Sequence, residues 1–187
     1  MCYTFVGEVN MKTEYELRVL EIDKDKIISR LEELGAKKIG EYNQKRYVYD
    51  LNPACSGKWI RLRTNGIETT LCYKDVVGDT IDGTKEVEVV VDDFDKTNEF
   101  LEKIGFIRRN YQENRRIQYI LNDVEIDIDS WPLIPTYLEI EGSSERDVLY
   151  MLALLNLNDE KVTTLNCEDI YNDLYNINVL SIKDLRF

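Results

Sequence analysis

The stretch TEYELRVLEI, residues 13–22, decides the fold. Taken at every second position it splits into two sets. Tyr15, Leu17 and Val19 are apolar, whereas Glu14, Glu16 and Arg18 are charged. Successive side chains on a strand point to opposite faces, so this alternation reads as a strand with one apolar and one charged face. What the chain does depends on where the charged face points: toward bulk water, or into an enclosed interior.

The stretch is the first part of an internal repeat. One copy runs EYELRVLEID, then DKDKIISRLEELG, then AKKIGEYNQKRYVYDLN. The other runs EVEVVVDDF, then DKTNEFLEKIG, then FIRRNYQENRRIQYILND. Each copy has a Glu-x-Glu strand (Glu14/Glu16 and Glu86/Glu88), an acidic helix start, a helix closed by glycine, and a new strand. Asp23 and Asp95 are the expected N-caps, and Gly35 and Gly105 the expected C-terminal glycines. KWIRLRT (58–64) and TTLCYKD (69–75), joined through Asn65-Gly66, complete the first half. DVEIDID (123–129) and TYLEIEG (136–142) complete the second. A helix is expected over 143–156, capped by Ser143 or Ser144, and a short one over 166–177.

Each half therefore reads β-α-β-β-β. The expected fold class is α+β: an eight-stranded, mostly antiparallel β-barrel closed into a tunnel, with helices packed outside. Closure removes exposed strand edges. The chain of 187 residues suits one domain over 1–187. Its first half is 11–75, its second half 84–142, and its C-terminal helices fall within 143–187. Met11, followed by KTEYEL, makes residues 1–10 an expected N-terminal extension.

Strand by strand, the charged parities are Glu14, Glu16 and Arg18; Arg61 and Arg63; Lys74, with Cys72; Glu86 and Glu88; Arg116, with Asn114; Asp127 and Asp129; and Glu139 and Glu141. One such strand would read as a sheet with a solvated face. The whole set reads differently, because the helices need apolar surface to pack on. If they lie outside the barrel, the apolar faces point outward and the charged faces inward. Enclosed charges must be hydrated, paired or bound to ions. Charges of both signs suggest a ligand with several negative charges together with a divalent metal. Lys85 and Arg115 have the opposite parity and are expected outside.

Composition narrows the chemistry. Net charge is −12, whereas a duplex-binding surface would be basic, so nucleic acid is not an expected partner. The chain has no histidine, and its four cysteines (Cys2, Cys55, Cys72 and Cys167) form no Cys-x-x-Cys pair. That argues against a Cys/His zinc site and against a histidine base. The scattered cysteines fit a reducing, cytoplasmic setting. No apolar run long enough to span a membrane occurs, and MCYTFVGEVN does not read as a signal peptide, so no membrane partner is expected. The apolar segment MLALLNL (151–157) suits packing or a homodimer contact.

In this setting the strands resemble the CYTH, or triphosphate tunnel metalloenzyme, superfamily over about residues 13–175. Glu14-x-Glu16-x-Arg18 is similar to its ExExK signature, WIRLRT to its paired-Arg strand, and TTLCYK to its strand ending in an inward Lys. KEVEV resembles the central Glu-x-Glu strand, NRRIQY a K-x-R-x-x-Y strand, and DIDSWPLIPTYLEIEG the segment with an acidic residue followed by E-x-E. Length and TYLEIEG look closest to the class IV adenylyl cyclase branch. Two positions depart from the family pattern: Arg18 stands for Lys in ExExK, and Asn114 for Lys in K-x-R.

The resemblance implies Mg²⁺ or Mn²⁺ held by Glu14, Glu16, Asp129, Glu139 and Glu141, with Asp127 secondary. It implies phosphate binding by Arg18, Arg61, Arg63, Lys74 and Arg116, with Arg18 and Lys74 taken as catalytic. Glu86 and Glu88 would support the basic residues. Cys72 is expected as a filler, and Tyr171 as a candidate plug at one mouth. The implied substrate is a nucleoside triphosphate or another triphosphate. Three activities follow: conversion of ATP to cyclic AMP and pyrophosphate, hydrolysis of inorganic or organic triphosphates, or binding without turnover through the changes at Arg18 and Asn114.

Overall fold

The computed structural model describes residues 11–51, 53–158 and 160–187; the expected extension at 1–10 lies outside them. The first half runs β1 (Lys12–Val19), α1 (Lys24–Glu33), β2 (Lys37–Asp50), β3 (Lys58–Thr64) and β4 (Thr69–Val76). The second runs β5 (Thr84–Val90), α2 (Phe94–Lys103), β6 (Ile107–Leu121), β7 (Val124–Ser130) and β8 (Tyr137–Gly142). Both halves are β-α-β-β-β, as the repeat predicts.

Capping explains where the helices begin and end. Asp23 accepts from the Lys26 amide at 3.2 Å, and Ser144 caps α3 (Glu145–Leu154). The cap of α2 is Asp93, not the expected Asp95: its carboxylate accepts from the Lys96 amide at 2.9 Å, while Asp95 lies in the first turn. Asp93 stands three residues before an amide without an intrahelical partner, whereas Asp95 already lies inside the helix, where the amide three residues on belongs to the ladder. Gly35 and Gly105 close α1 and α2 at φ of +74° and +100°, a region that penalises a Cβ.

The strands pair in the order β6-β2-β3-β4-β5-β1-β8-β7, and β7 pairs back to β6. All eight pairings are antiparallel, so the sheet closes on itself. The apolar strand faces point outward. Leu17 and Val19 of β1 join Ile126 and Ile128 of β7 and Leu138 and Ile140 of β8 beneath Ile27 and Leu31 of α1 and Val148, Met151 and Leu152 of α3. A smaller core sets Phe94 and Leu101 of α2 on Tyr49 and Leu62. Met151, Leu152, Leu155 and Leu157 are buried in the larger core, so the MLALLNL segment serves packing within the chain.

The C-terminal segment closes one end of the barrel. β9 (Val162–Thr163) pairs with β1, and β10 (Asp184–Leu185) runs parallel to β6. The helix expected over 166–177 is instead one α-turn, Cys167–Asp169, running into a π-turn, Ile170–Leu174. The wider turn sets Tyr171 among Trp131, Ile134 and Val179, with its hydroxyl donating to the Pro132 carbonyl at 2.5 Å. Asn176 at φ +54° follows and ends the run. Cys72 and Cys167 are free thiols. No helix among the described residues is long and apolar enough to cross a membrane.

Candidate active site

The inward faces enclose a cavity of about 390 Å³, within the range of small-ligand sites. Glu14, Glu16 and Arg18 of β1 line it, with Arg61 and Arg63 of β3, Lys74 of β4 and Glu86 and Glu88 of β5. Arg116 of β6, Asp129 of β7 and Glu139 and Glu141 of β8 complete the expected set. Twelve side chains picked out by strand parity therefore converge on one space. Asp127 is buried beside them without lining it. Tyr171 lies at the wall with Trp131, in the cluster where the C-terminal segment closes the barrel.

Within the cavity most carboxylates face the chain's own cations. Arg18 Nη2 lies 2.8 Å from Glu16 and 2.6 Å from Glu139, and Nη1 donates to the Leu165 carbonyl at 3.0 Å. The position thus uses the fork of an arginine, which a lysine ammonium does not reproduce. Arg116 donates to Asp129 through Nε at 2.8 Å and Nη2 at 2.5 Å, reaches Glu139 at 3.0 Å and also pairs with Asp127. Burial opposes its charge, but these carboxylates outweigh it and raise its pKa above the ordinary guanidinium value. Burial likewise pushes the Asp127 carboxyl up, to about 9. Lys12, which parity reasoning missed, closes on Glu141 at 2.9 Å.

Glu14 and Glu86 share Lys74, at 2.6 and 3.5 Å. Burial raises Glu14 to about 7 against the pull of Lys74. Burial also acts on Glu86, but there Lys74 and hydrogen bonds from Glu14 and Cys72 prevail and hold it at about 2. One proton is thus shared across the pair near neutrality. A carboxyl raised from 4.5 to about 7 binds a proton that the unfolded chain has lost. Its contribution to stability is intact below pH 4.5 and falls as pH rises to about 7. The metal-free wild type should therefore lose roughly 3 kcal/mol between those limits from this group. Glu14→Gln should flatten that part of the profile. Melting curves from pH 4.5 to 8 for both proteins check this; parallel profiles would refute the shared proton.

The opposite balance holds near β3. Arg61 and Arg63 share one carboxylate, Glu88, at 3.2 and 3.8 Å. The charge of Arg61, followed by burial, holds Arg63 down to about 10. Beside them lies Arg46 of β2, also missed from sequence. It is 7% exposed and its Nε has no partner. Its Nη2 donates to the amide oxygens of Gln44, at 3.0 Å, and Asn114. Burial, then Arg61 and Arg63, lower it to about 9. The repeat held the signal for this residue: an offset of 70 takes Gly35 to Gly105, and the same offset takes Arg46 to Arg116.

The donor set bears on whether a cation fits. The five expected carboxylates offer the hard oxygen ligands that Mg²⁺ and Mn²⁺ prefer, but each faces a cation of the chain in place of a common point. Among the described residues, one trio of ligand atoms lies within 4.8 Å of one another: Cys72 with Glu86 and Glu88. Cys72, pushed up to about 12 by burial, keeps its proton and donates to Glu86 at 3.2 Å. Of that trio, Glu86 and Glu88 offer carboxylate oxygens and the thiol does not. The carboxylates fit a hard metal in kind, once their cations turn elsewhere.

Comparisons with known proteins agree with the resemblance read from the strands. No protein-family model matches the chain. A curated protein of Methanocaldococcus jannaschii with the name "Putative adenylate cyclase" is 27% identical over 164 residues, covering 80% of this chain and 93% of its own. Among solved structures, a protein of Pyrococcus horikoshii superposes with TM-score 0.71 at 24% identity, covering 82% of this chain and 96% of its own. A Hippeastrum protein titled a putative adenylyl cyclase with "a dominant triphosphatase activity" superposes with TM-score 0.61 at 14% identity, covering 89% and 97%.

Proposed function

We propose that this chain, similar to the CYTH superfamily in its strand motifs and its closed barrel, is a divalent-metal-dependent enzyme acting on triphosphates inside the tunnel. One observation carries the reading. Arg61 and Arg63 crowd together with a single carboxylate between them, in a cavity whose other end is rich in carboxylates. A half-buried arginine pair that shares one carboxylate, and in which Arg61 repels Arg63, suits a polyanion, and guanidinium forks suit phosphate oxygens. The carboxylates Glu14, Glu16, Asp129, Glu139 and Glu141 would hold Mg²⁺ or Mn²⁺. Bound metal would neutralise phosphate charge and polarise a phosphoryl oxygen.

The chain's own residues then position the substrate. Phosphoryl chemistry asks a protein chiefly for alignment and charge stabilisation. Arg61 and Arg63 grip phosphate oxygens. Arg18 and Lys74 now neutralise carboxylates that would hold metal; with metal held there they would be free to reach the phosphates, while Arg116 keeps its place among Asp127, Asp129 and Glu139. Glu86 and Glu88 hold Lys74, Arg61 and Arg63 in place. In the cyclase reaction the ribose 3′-oxygen bonds to the α-phosphorus, its proton passes to water, and the bond from the α-phosphorus to the bridging oxygen breaks to release pyrophosphate. The name carried by the Methanocaldococcus relative supports this reaction first.

Hydrolysis of a triphosphate is the second reading. It is favoured by the aromatic corner: Arg46 lies 4.6 Å from the Trp131 ring centroid, so that face is not free to stack a base. The Hippeastrum title points the same way. The two reactions are separated by their products. Purified protein with Mn²⁺ or Mg²⁺ is given ATP and, separately, inorganic triphosphate. Cyclic AMP with pyrophosphate from ATP identifies the cyclase. Free phosphate without cyclic AMP identifies the hydrolase. Protection against melting by triphosphate, with neither product, leaves a binding module.

A further inference from the structure

We infer that Arg46, outside the strands that carry the recognisable motifs, is a principal phosphate anchor of the tunnel, and that its repeat counterpart Arg116 instead fixes the carboxylates. The inference rests on the triphosphate reading above. The two arginines occupy equivalent places in the two halves, 70 residues apart, and both line the same cavity. Their surroundings differ in sign. Arg116 is enclosed by Asp127, Asp129 and Glu139, so its charge is fully compensated. Arg46 has no carboxylate within ion-pair distance among the described residues; its partners are the neutral amides of Gln44 and Asn114.

A buried guanidinium without counter-charge is costly, and the neighbouring Arg61 and Arg63 add repulsion. Its Nε is an unused donor in a nine-tenths-buried side chain. One flank rests on the Trp131 ring, which holds the fork in place without neutralising it. A phosphoryl group would supply both the charge and the acceptor that the site lacks. Asn114 carries this arrangement: its oxygen accepts from Arg46, while its amide donates to Asp129 at 3.1 Å. The motif lysine missing at 114 is thus matched by an arginine arriving from the facing strand, where Gln44 pairs with Asn114.

The test uses the full chain and inorganic tripolyphosphate without metal, by calorimetry and by melting. Arg46→Gln retains hydrogen-bonding reach but removes the charge. The expected result is a loss of about 10-fold or more in tripolyphosphate affinity, partly restored in Arg46→Lys. The melting temperature without ligand should stay level or rise, because repulsion is removed. Affinity within about two-fold of the wild type would overturn the anchor role while leaving the triphosphate reading standing. A lower ligand-free melting temperature in both Arg46→Gln and Arg46→Lys would assign Arg46 a structural role and overturn the proposal as well. A wild type that does not bind tripolyphosphate would overturn the tunnel reading itself, and the anchor with it.

Discussion

Arg116→Ala should destabilise the fold by about 3–5 kcal/mol, the usual result of removing one partner from a buried ion cluster. Arg116 reaches Asp129, Glu139 and Asp127 at once, and Asp129 and Asp127 are 0% and 2% exposed. Without the guanidinium, the Asp129 and Glu139 carboxylates lie beside the Asp127 carboxyl with Arg18, on Glu139, and the Asn114 amide, on Asp129, as their remaining side-chain donors. For a chain of this size the loss corresponds to a melting temperature lower by roughly 6–20 °C. Circular dichroism melts at neutral pH check it. Two companion results follow from the same cause. Lowering the pH should narrow the gap, because protonated carboxyls no longer need the cation. Adding Asp129→Asn to Arg116→Ala should recover part of the loss. A variant melting within a degree or two of the wild type would mean that Arg116 does not hold this cluster together.

The fold was legible because two signals agreed. Period-two alternation gave each strand a charged and an apolar face, and the repeat gave the element order twice. The helices then decided which face turned inward, since Ile27, Leu31, Val148 and Met151 need apolar strand faces to cover. Parity names a face but not a partner. Arg18 meets Glu139 because β1 and β8 pair with those residues opposite each other, and a register of that kind joins positions 121 apart. The five carboxylates line the tunnel, as parity places them, but parity alone does not say which of Arg18, Lys74, Arg116 and Lys12 each one meets. Arg46 was missed for a different reason: EYNQKRYVYD carries no charged pair at period two, and only alignment of Lys45-Arg46 with Arg115-Arg116 exposes it. The C-terminal π-turn has no simple pattern in sequence, because the burial of Tyr171 against Trp131 sets it.

Arg63→Ala should lower kcat/KM for the triphosphate substrate by about 10²–10³-fold, the scale on which removal of one preorganised charge-stabilising donor is felt. The residue is well placed for such an effect. It lines the cavity, and Arg61 beside it is the first cause holding its pKa down to about 10. A guanidinium retains its proton at working pH, so that depression is stored repulsion and does not signal a titration. A polyphosphate relieves the repulsion as it binds, and does so most where phosphoryl charge accumulates in the reaction. Loss of Arg63 should therefore remove binding and transition-state stabilisation together. Its effect on the empty protein has the opposite sign from that of Arg116→Ala. Glu88 would keep Arg61 as a partner, and the cavity would lose an under-compensated charge, so the ligand-free melting temperature should hold or rise. Steady-state kinetics on ATP and inorganic triphosphate, with melts of the same preparations, test both halves. Unchanged turnover would exclude Arg63 from the site; a collapse in stability would show that the arginines support the barrel rather than await an anion.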